Sequence, residues 1–159
     1  MSPIQYRYDD MFESQADALV NPINCVGTMG AGLAREFKRR FPGLNDHYVA
    51  AAARREVKVG RILVFPTLDQ SGRGPRYIFN FPTKDQWRNP SQLEWIVSGL
   101  VNLSEVCEDL KVQSIAIPAL GCGLGGLDWE PVKDAISHAF RSTFDHRRGL
   151  LTVYVYPPQ

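Results

Sequence analysis

Apolar and polar positions along the chain divide it into strand-like and helix-like segments in alternation. Ile4 to Tyr8 alternates apolar with polar residues, and Ala16 to Val20 reads as a short buried strand. Residues 31–41 carry a helical period, with Leu33, Ala34, Phe37 and Phe41 on one face and Arg35, Lys38 and Arg39 on the other. Pro42 breaks that run, and a second helix follows from about Leu44 to Arg55 through an alanine-rich centre. Ile62 to Pro66 and Tyr77 to Phe81 read as strands separated by the loop "DQSGRGP". Ser91 is placed to cap a long helix running to Leu110, with Leu93, Ile96, Val97, Leu100 and Leu103 turned to the core. Val112 to Ile117 is a buried strand, Asp128 to Phe140 a helix, and Leu151 to Tyr156 the last strand. About six strands and four helices in alternation predict a three-layer α/β/α domain around a mixed sheet. Ligands of such folds bind beyond the strand ends, where loops converge.

Charge narrows the partners. With 18 basic and 17 acidic residues the formal charge is +1, so no global basic field is available to hold a long nucleic acid. An anion would be bound locally, by backbone groups. The 159 residues fit one domain, and 44% apolar with 22% charged content is that of a soluble globular protein. The start "MSPIQYRYDDMFE" is too polar for a signal peptide, and no apolar run approaches the ~20 residues of a membrane span. Cys25, Cys107 and Cys122 form neither a CxxC pair nor a metal spacing, which favours reduced thiols in a cytoplasmic compartment and no metal site.

Three loops carry candidate chemistry. In "NPINCVGTMGAGLA", residues 21–34, a strand leads through three glycines into a helix. Glycines permit close backbone approach, and the helix N-terminus offers free N–H groups to an anion. Asn21 and Asn24 supply donors and acceptors for sugar hydroxyls, or else tie the loop together. The second loop, "PALGCGLGGLDW", residues 118–129, has the same strand–loop–helix form. Its Gly121, Gly123 and Gly126 match G-x-G-x-x-G, with Asp145 nearly 20 residues on, but only one strand remains, too few for a dinucleotide fold built on that fingerprint. No Lys-Ser or Lys-Thr follows, which excludes a P-loop. What survives is a diphosphate cradle of backbone N–H groups, with Asp128 as cap of the next helix and Cys122 as loop packing.

The third loop is "FNFPTKDQWRNPS", residues 79–91, which places Lys84 two residues beyond Pro82 and ahead of Trp87. It is either a solvated surface charge or an amine held over a pocket. An unperturbed lysine, with pKa about 10.4, is neutral in under ~0.1% of molecules at pH 7, so nucleophilic attack needs desolvation or a neighbouring cation. A charged lysine can instead stabilise a departing group. Asp9 and Asp10, after the first strand, suit either an adenine or ribose contact or a turn cap, and Tyr154 and Tyr156 share one face of the last strand.

Together these residues resemble the macrodomain family, whose members bind ADP-ribose. The resemblance spans nearly the whole chain and implies a single macrodomain over residues 1–159. "NCVGTMGAGLAREFKRRFP", "NFPTKDQW" and "LGCGLGGLDW" look most like the branch of the terminal ADP-ribose protein glycohydrolase. They are closer still to the bacterial antitoxin macrodomains that reverse ADP-ribosylation of thymidine in DNA. The resemblance implies an ADP-ribosyl hydrolase acting on thymidine-linked DNA or acyl-linked protein, with an ADP-ribosyltransferase toxin as partner and no cofactor. The alternative is a reader that binds ADP-ribose without cleaving it. Carried over, Lys84 is the catalytic lysine, Asp10 contacts adenine, Asn24 holds the distal ribose, and Met11 and Asn21 join them as ADP-ribose-binding residues. Gly30, Ala31, Gly32 and Leu33 line the pocket with Thr83 and Trp87. Pro118, Leu120, Gly121, Cys122, Gly123, Leu124, Gly125 and Gly126 form the diphosphate loop, and Tyr156 sits against adenine. The human enzyme of this branch carries an aspartate where this chain has Gly125.

Overall fold

A computed structural model describes residues 4–67, 71–86, 88–147 and 151–159, with backbone alone over 142–147. Six strands and four helices alternate in the order β1 (Ile4–Tyr6), β2 (Ala18–Asn24), α1 (Gly32–Arg40), α2 (Leu44–Ala53), β3 (Leu63–Pro66), β4 (Tyr77–Lys84), α3 (Leu93–Asp109), β5 (Ser114–Pro118), α4 (Trp129–Arg147) and β6 (Thr152–Tyr156). A short 3-10 turn, Met11–Glu13, follows β1. The sheet order is β1-β6-β5-β2-β4-β3, and every pairing is parallel except β3 with β4. The expected mixed six-stranded sheet is therefore present.

Strand alternation sends successive side chains to opposite faces and builds two cores. Val20, Phe79, Phe81, Ile115 and Ile117 pack with Ile96, Leu100 and Leu103 of α3 and Val132, Ile136 and Phe140 of α4. Leu19, Ile23, Ile78 and Ala116 pack on the other face with Phe37 of α1 and Leu44, Tyr48 and Ala51 of α2. Phe81 packs directly against α3: a Cβ on Gly99 would run into its ring.

Two strands extend further than the apolar pattern predicts, and both contain a proline. β2 runs on through Pro22 to Asn24, and β4 through Pro82 to Lys84. Proline lacks the N–H a ladder needs on both sides, which argues for a strand end in the sequence. Here the neighbours have already stopped: β3 ends its pairing with β4 at Leu63–Asn80, and β2 pairs β5 only at Ala18–Ile115 and Leu19–Ala116. Beyond those points each strand has an open flank, and the missing N–H goes unmissed. Lys84 consequently stands on a strand, not in a loop after one. Ser91 is not the cap of α3. Gln92 holds that position without a side-chain hydrogen bond, and Ser91 is buried. Leu93 and Val97, expected in the core, lie exposed on α3.

Candidate functional site

Because β2 and β5 part company after Leu19 and Ala116, a crevice opens between their carboxyl ends. A cavity of ≈1420 Å³ fills it and extends along the edge of the sheet. Its walls take Tyr156 from β6, Pro118 from β5, Pro22, Ile23 and Asn24 from β2, and Thr83 and Lys84 from β4. From β1 to β4 is four strand spacings, about 19 Å, enough for an extended two-headed ligand.

Both glycine loops face this cavity, and both present unspent donors. Among the described residues, the N–H groups of Gly123, Leu124 and Gly125 donate to no protein acceptor. Gly32, Leu33 and Ala34 begin α1, whose first bond across the turn is Arg35 N–H to the Ala31 carbonyl, so their N–H groups are open as well. Two sets of three open amides, one of them a helix N-terminus, offer an anion site built from backbone donors.

The second loop has little freedom to be otherwise. Gly121 adopts φ +75°, and a Cβ there would lie 2.7 Å from Leu127 Cδ1. A Cβ on Gly125 would run into Ser91 Oγ and the Gly121 carbonyl. No side chain fits at position 125, so the aspartate of the resembled human enzyme has no room here. Lys84 closes the cavity at the β4 end: its Nζ donates to the Leu124 carbonyl at 3.1 Å, reaching from strand to loop. The Leu124 side chain leans the other way, with Cδ1 3.7 Å from the place a Cβ on Gly32 would take.

At the opposite end Asp10 caps the 3-10 turn, its Oδ1 accepting from Phe12 N–H at 2.9 Å. Asp9 pairs with Arg7 at 3.0 Å, and that hydrogen bond lowers its carboxyl below the usual range. Tyr156 is nearly buried in the wall, and burial raises its phenol pKa. The Arg40 guanidinium lies 4.4 Å over the Phe12 ring, and that ring packs edge-on to Phe37 at 4.8 Å.

The structure thus brings Asp10, Met11, Asn24, Gly30, Ala31, Gly32, Leu33, Thr83, Lys84, Pro118, Gly121, Cys122, Gly123, Leu124, Gly125 and Tyr156 to one cavity. Asn21 does not reach it. That side chain is fully buried and donates from Nδ2 to Asn80 Oδ1 at 2.9 Å, because it sits on the sheet interior opposite its strand partner. Leu120 is core, and the exposed Gly126 spends its N–H on the Gly123 carbonyl. Trp87 lies outside the described residues. Cys122 lines the wall, but burial raises its thiol pKa, as expected of packing rather than a nucleophile. The sequence reading missed Arg7, Phe12, Thr28 and Arg40 in the lining. Phe12 had a signal, a large apolar side chain two residues after the acidic pair; Arg40 belongs to a basic helix face, with Arg35, Lys38 and Arg39, that could meet a phosphate but reads more readily as solvated.

Residues 20–136 match the macro domain family. The chain belongs to it. A DNA ADP-ribosyl glycohydrolase of Mycobacterium tuberculosis is 43% identical over 157 residues, 98% of this chain and 42% of that protein. This macrodomain therefore spans less than half the length of that relative. The solved macrodomain of Mycobacterium tuberculosis DarG superposes with a TM-score of 0.89 at 41% identity, each chain covered in full. Thermosipho africanus DarTG in complex with ADP-ribose superposes with a TM-score of 0.87 at 30% identity, over 98% of this chain and 41% of that one. Among the described residues no helix of this macrodomain is long and apolar enough to cross a membrane, and no cluster of three His, Cys, Asp or Glu could hold a metal ion.

Proposed function

We propose that this macrodomain is an ADP-ribosyl hydrolase that binds ADP-ribose across the five parallel strand ends and releases it from a macromolecule, thymidine in DNA foremost. The observation that carries the reading is Lys84. Its amine is held by a backbone carbonyl at one end of a cavity whose middle offers six open N–H groups. The diphosphate would lie on those amides, adenine between Asp10 and Tyr156, and the distal ribose at Asn24 and Lys84. The name of the Mycobacterium tuberculosis relative and the ADP-ribose held by the Thermosipho structure support the substrate.

In this pose the bond to be broken joins the anomeric carbon of the distal ribose to thymine N3, or to a carboxylate oxygen on protein. As it lengthens, negative charge gathers on the departing atom, and the Lys84 ammonium donates to it. Water adds to the anomeric carbon, and the proton that water gives up balances the charge on the released group. Direct attack by the amine would first require loss of its proton. Among the described residues the carboxylate side chains lining the cavity are Asp9, Asp10 and Glu36, none of them on β4 or the second loop beside the amine. That distribution favours the donor role. We further infer that residues 1–159 act as one cytoplasmic macrodomain and that the substrate is made by an ADP-ribosyltransferase, the class of enzyme that writes such a mark.

The test is release of ADP-ribose from a thymidine-modified oligonucleotide by the intact chain and by Lys84→Ala. Loss of about 100-fold or more in turnover, with ADP-ribose binding kept, is expected for removal of one donor to a departing atom. ADP-ribose binding without release by either protein would leave a reader module. A Lys84–sugar adduct trapped by borohydride during turnover would replace the donor role with amine attack.

A further inference from the structure

The first glycine loop is held from behind by a single buried phenol. Tyr48, fully buried on α2, places its hydroxyl under the loop: Gly27 N–H and Thr28 N–H each donate to it at 3.1 Å. Those two donors occupy the lone pairs of the oxygen. Its one proton therefore goes to Asn24, whose Oδ1 lies at 2.6 Å and whose backbone carbonyl lies at 2.8 Å. Burial pushes this phenol up to about 12, so the proton stays in place through the neutral range.

This arrangement decides which way the Asn24 amide points. Oδ1 also accepts from Val26 N–H at 3.1 Å and Thr28 N–H at 3.4 Å. Nδ2 donates to the Thr28 carbonyl at 2.8 Å. Reversing the amide would set an NH2 against three donors and an oxygen against a carbonyl, so only one orientation is consistent. Oδ1 is thereby consumed inside the loop, and one N–H of Nδ2 is left. Asn24 lines the cavity and stands opposite Lys84 in the strand register.

From this geometry we propose that Tyr48 is a positioning residue that makes Asn24 a pure hydrogen-bond donor at the Lys84 end, selecting ligands that present an oxygen acceptor there. The inference rests on the proposed pose, in which that oxygen belongs to the distal ribose. It predicts discrimination between ADP-ribose and ADP, which share every other contact but differ in the sugar at this end. In Tyr48→Phe the ring remains and the hydroxyl goes: Gly27 N–H loses its acceptor, and the Asn24 amide loses the shortest of the three donors that fix its direction.

The experiment is calorimetric titration of ADP-ribose and ADP into the intact chain, Tyr48→Phe and Asn24→Asp. For Tyr48→Phe, ADP-ribose affinity should fall about tenfold, the size expected when a buried hydrogen-bond network is broken, with ADP affinity within about twofold of the unmodified chain. Equal losses for both ligands would make Tyr48 mere scaffolding and overturn the proposal, as would no loss for either. Asn24→Asp keeps the phenol and replaces the donor with an acceptor, so the proposal stays testable where Tyr48→Phe fails to fold. ADP-ribose binding should then be lost with ADP binding kept, and unchanged ADP-ribose binding would refute the donor assignment. Failure of the unmodified chain to bind ADP-ribose at all would instead remove the proposed pose on which both readings stand.

Discussion

Gly99→Ala sets two opposing effects against each other inside α3. Alanine is the better helix former, worth about 0.8–1.0 kcal/mol over glycine at an interior helical position. Against that gain stands Phe81. The added Cβ would lie 2.7 Å from its Cε1 and 3.1 Å from its Cε2, with Cζ nearer still. The ring cannot swing away, since Phe81 is completely buried between β4 and α3 in the larger of the two cores. Overpacking of this kind costs about 1–3 kcal/mol. Three ring atoms in the path put the cost toward the upper end, so the clash wins by about 1–2 kcal/mol. In a domain of this size that lowers Tm by about 3–6 °C. Denaturant and thermal unfolding of the two proteins measure it, and Gly99→Ala combined with Phe81→Leu should recover part of the loss. Equal or greater stability for Gly99→Ala alone would refute the reasoning. It would show slack between α3 and β4 at Phe81.

Gly125→Ala should destabilise the second loop by about 1–3 kcal/mol and weaken ADP-ribose binding, because the added carbon meets Ser91 Oγ and the Gly121 carbonyl; isothermal titration and unfolding curves check both. Gly125→Asp should be worse still, not a gain of function. Stability should be level to about pH 8.5 and then decline toward pH 12. Burial holds the Cys25 thiol up at about 11 and the Tyr48 phenol at about 12, while the unfolded chain ionises near 9 and 10 and gains from the rising pH. Cys25→Ala should flatten the first part of that decline in denaturant titrations, and Cys25 should resist iodoacetamide at pH 7.5 in the folded protein. Tyr156→Ala should weaken ADP and ADP-ribose by the same factor, since both carry adenosine; a selective loss would move adenine elsewhere in the cavity.

The layers, the element order and both glycine loops were legible in the sequence because each depends on local period or on glycine's own conformational range. Residues 121–126 announce a backbone cradle through composition alone. The errors share one cause, dependence on what lies across the sheet or behind a loop. Pro22 and Pro82 look like strand ends until the neighbouring strands are known to stop first. Asn21 and Asn24 are the same residue type three positions apart, yet one is sealed against Asn80 and the other lines the cavity. Ser91 has the chemistry of a cap and the location of a packing residue, and only the approach of residues 121 and 125 reveals it. Tyr48 gave no signal at all, being one aromatic among alanines, until the fold brought it beneath residues 24 to 28.

Among the described residues a main-chain carbonyl accepts from Lys84, and this has a consequence for how the site can vary over evolutionary time. A carbonyl is encoded by no particular codon, so any amino acid at position 124 supplies it as long as the loop keeps its path. Mutational drift at that position can change the exposed surface above the cavity while the lysine beneath stays anchored. The constraint falls on Gly121 and Gly125, which shape the path, and a comparison of relatives by residue identity at 124 would pass over the anchor altogether.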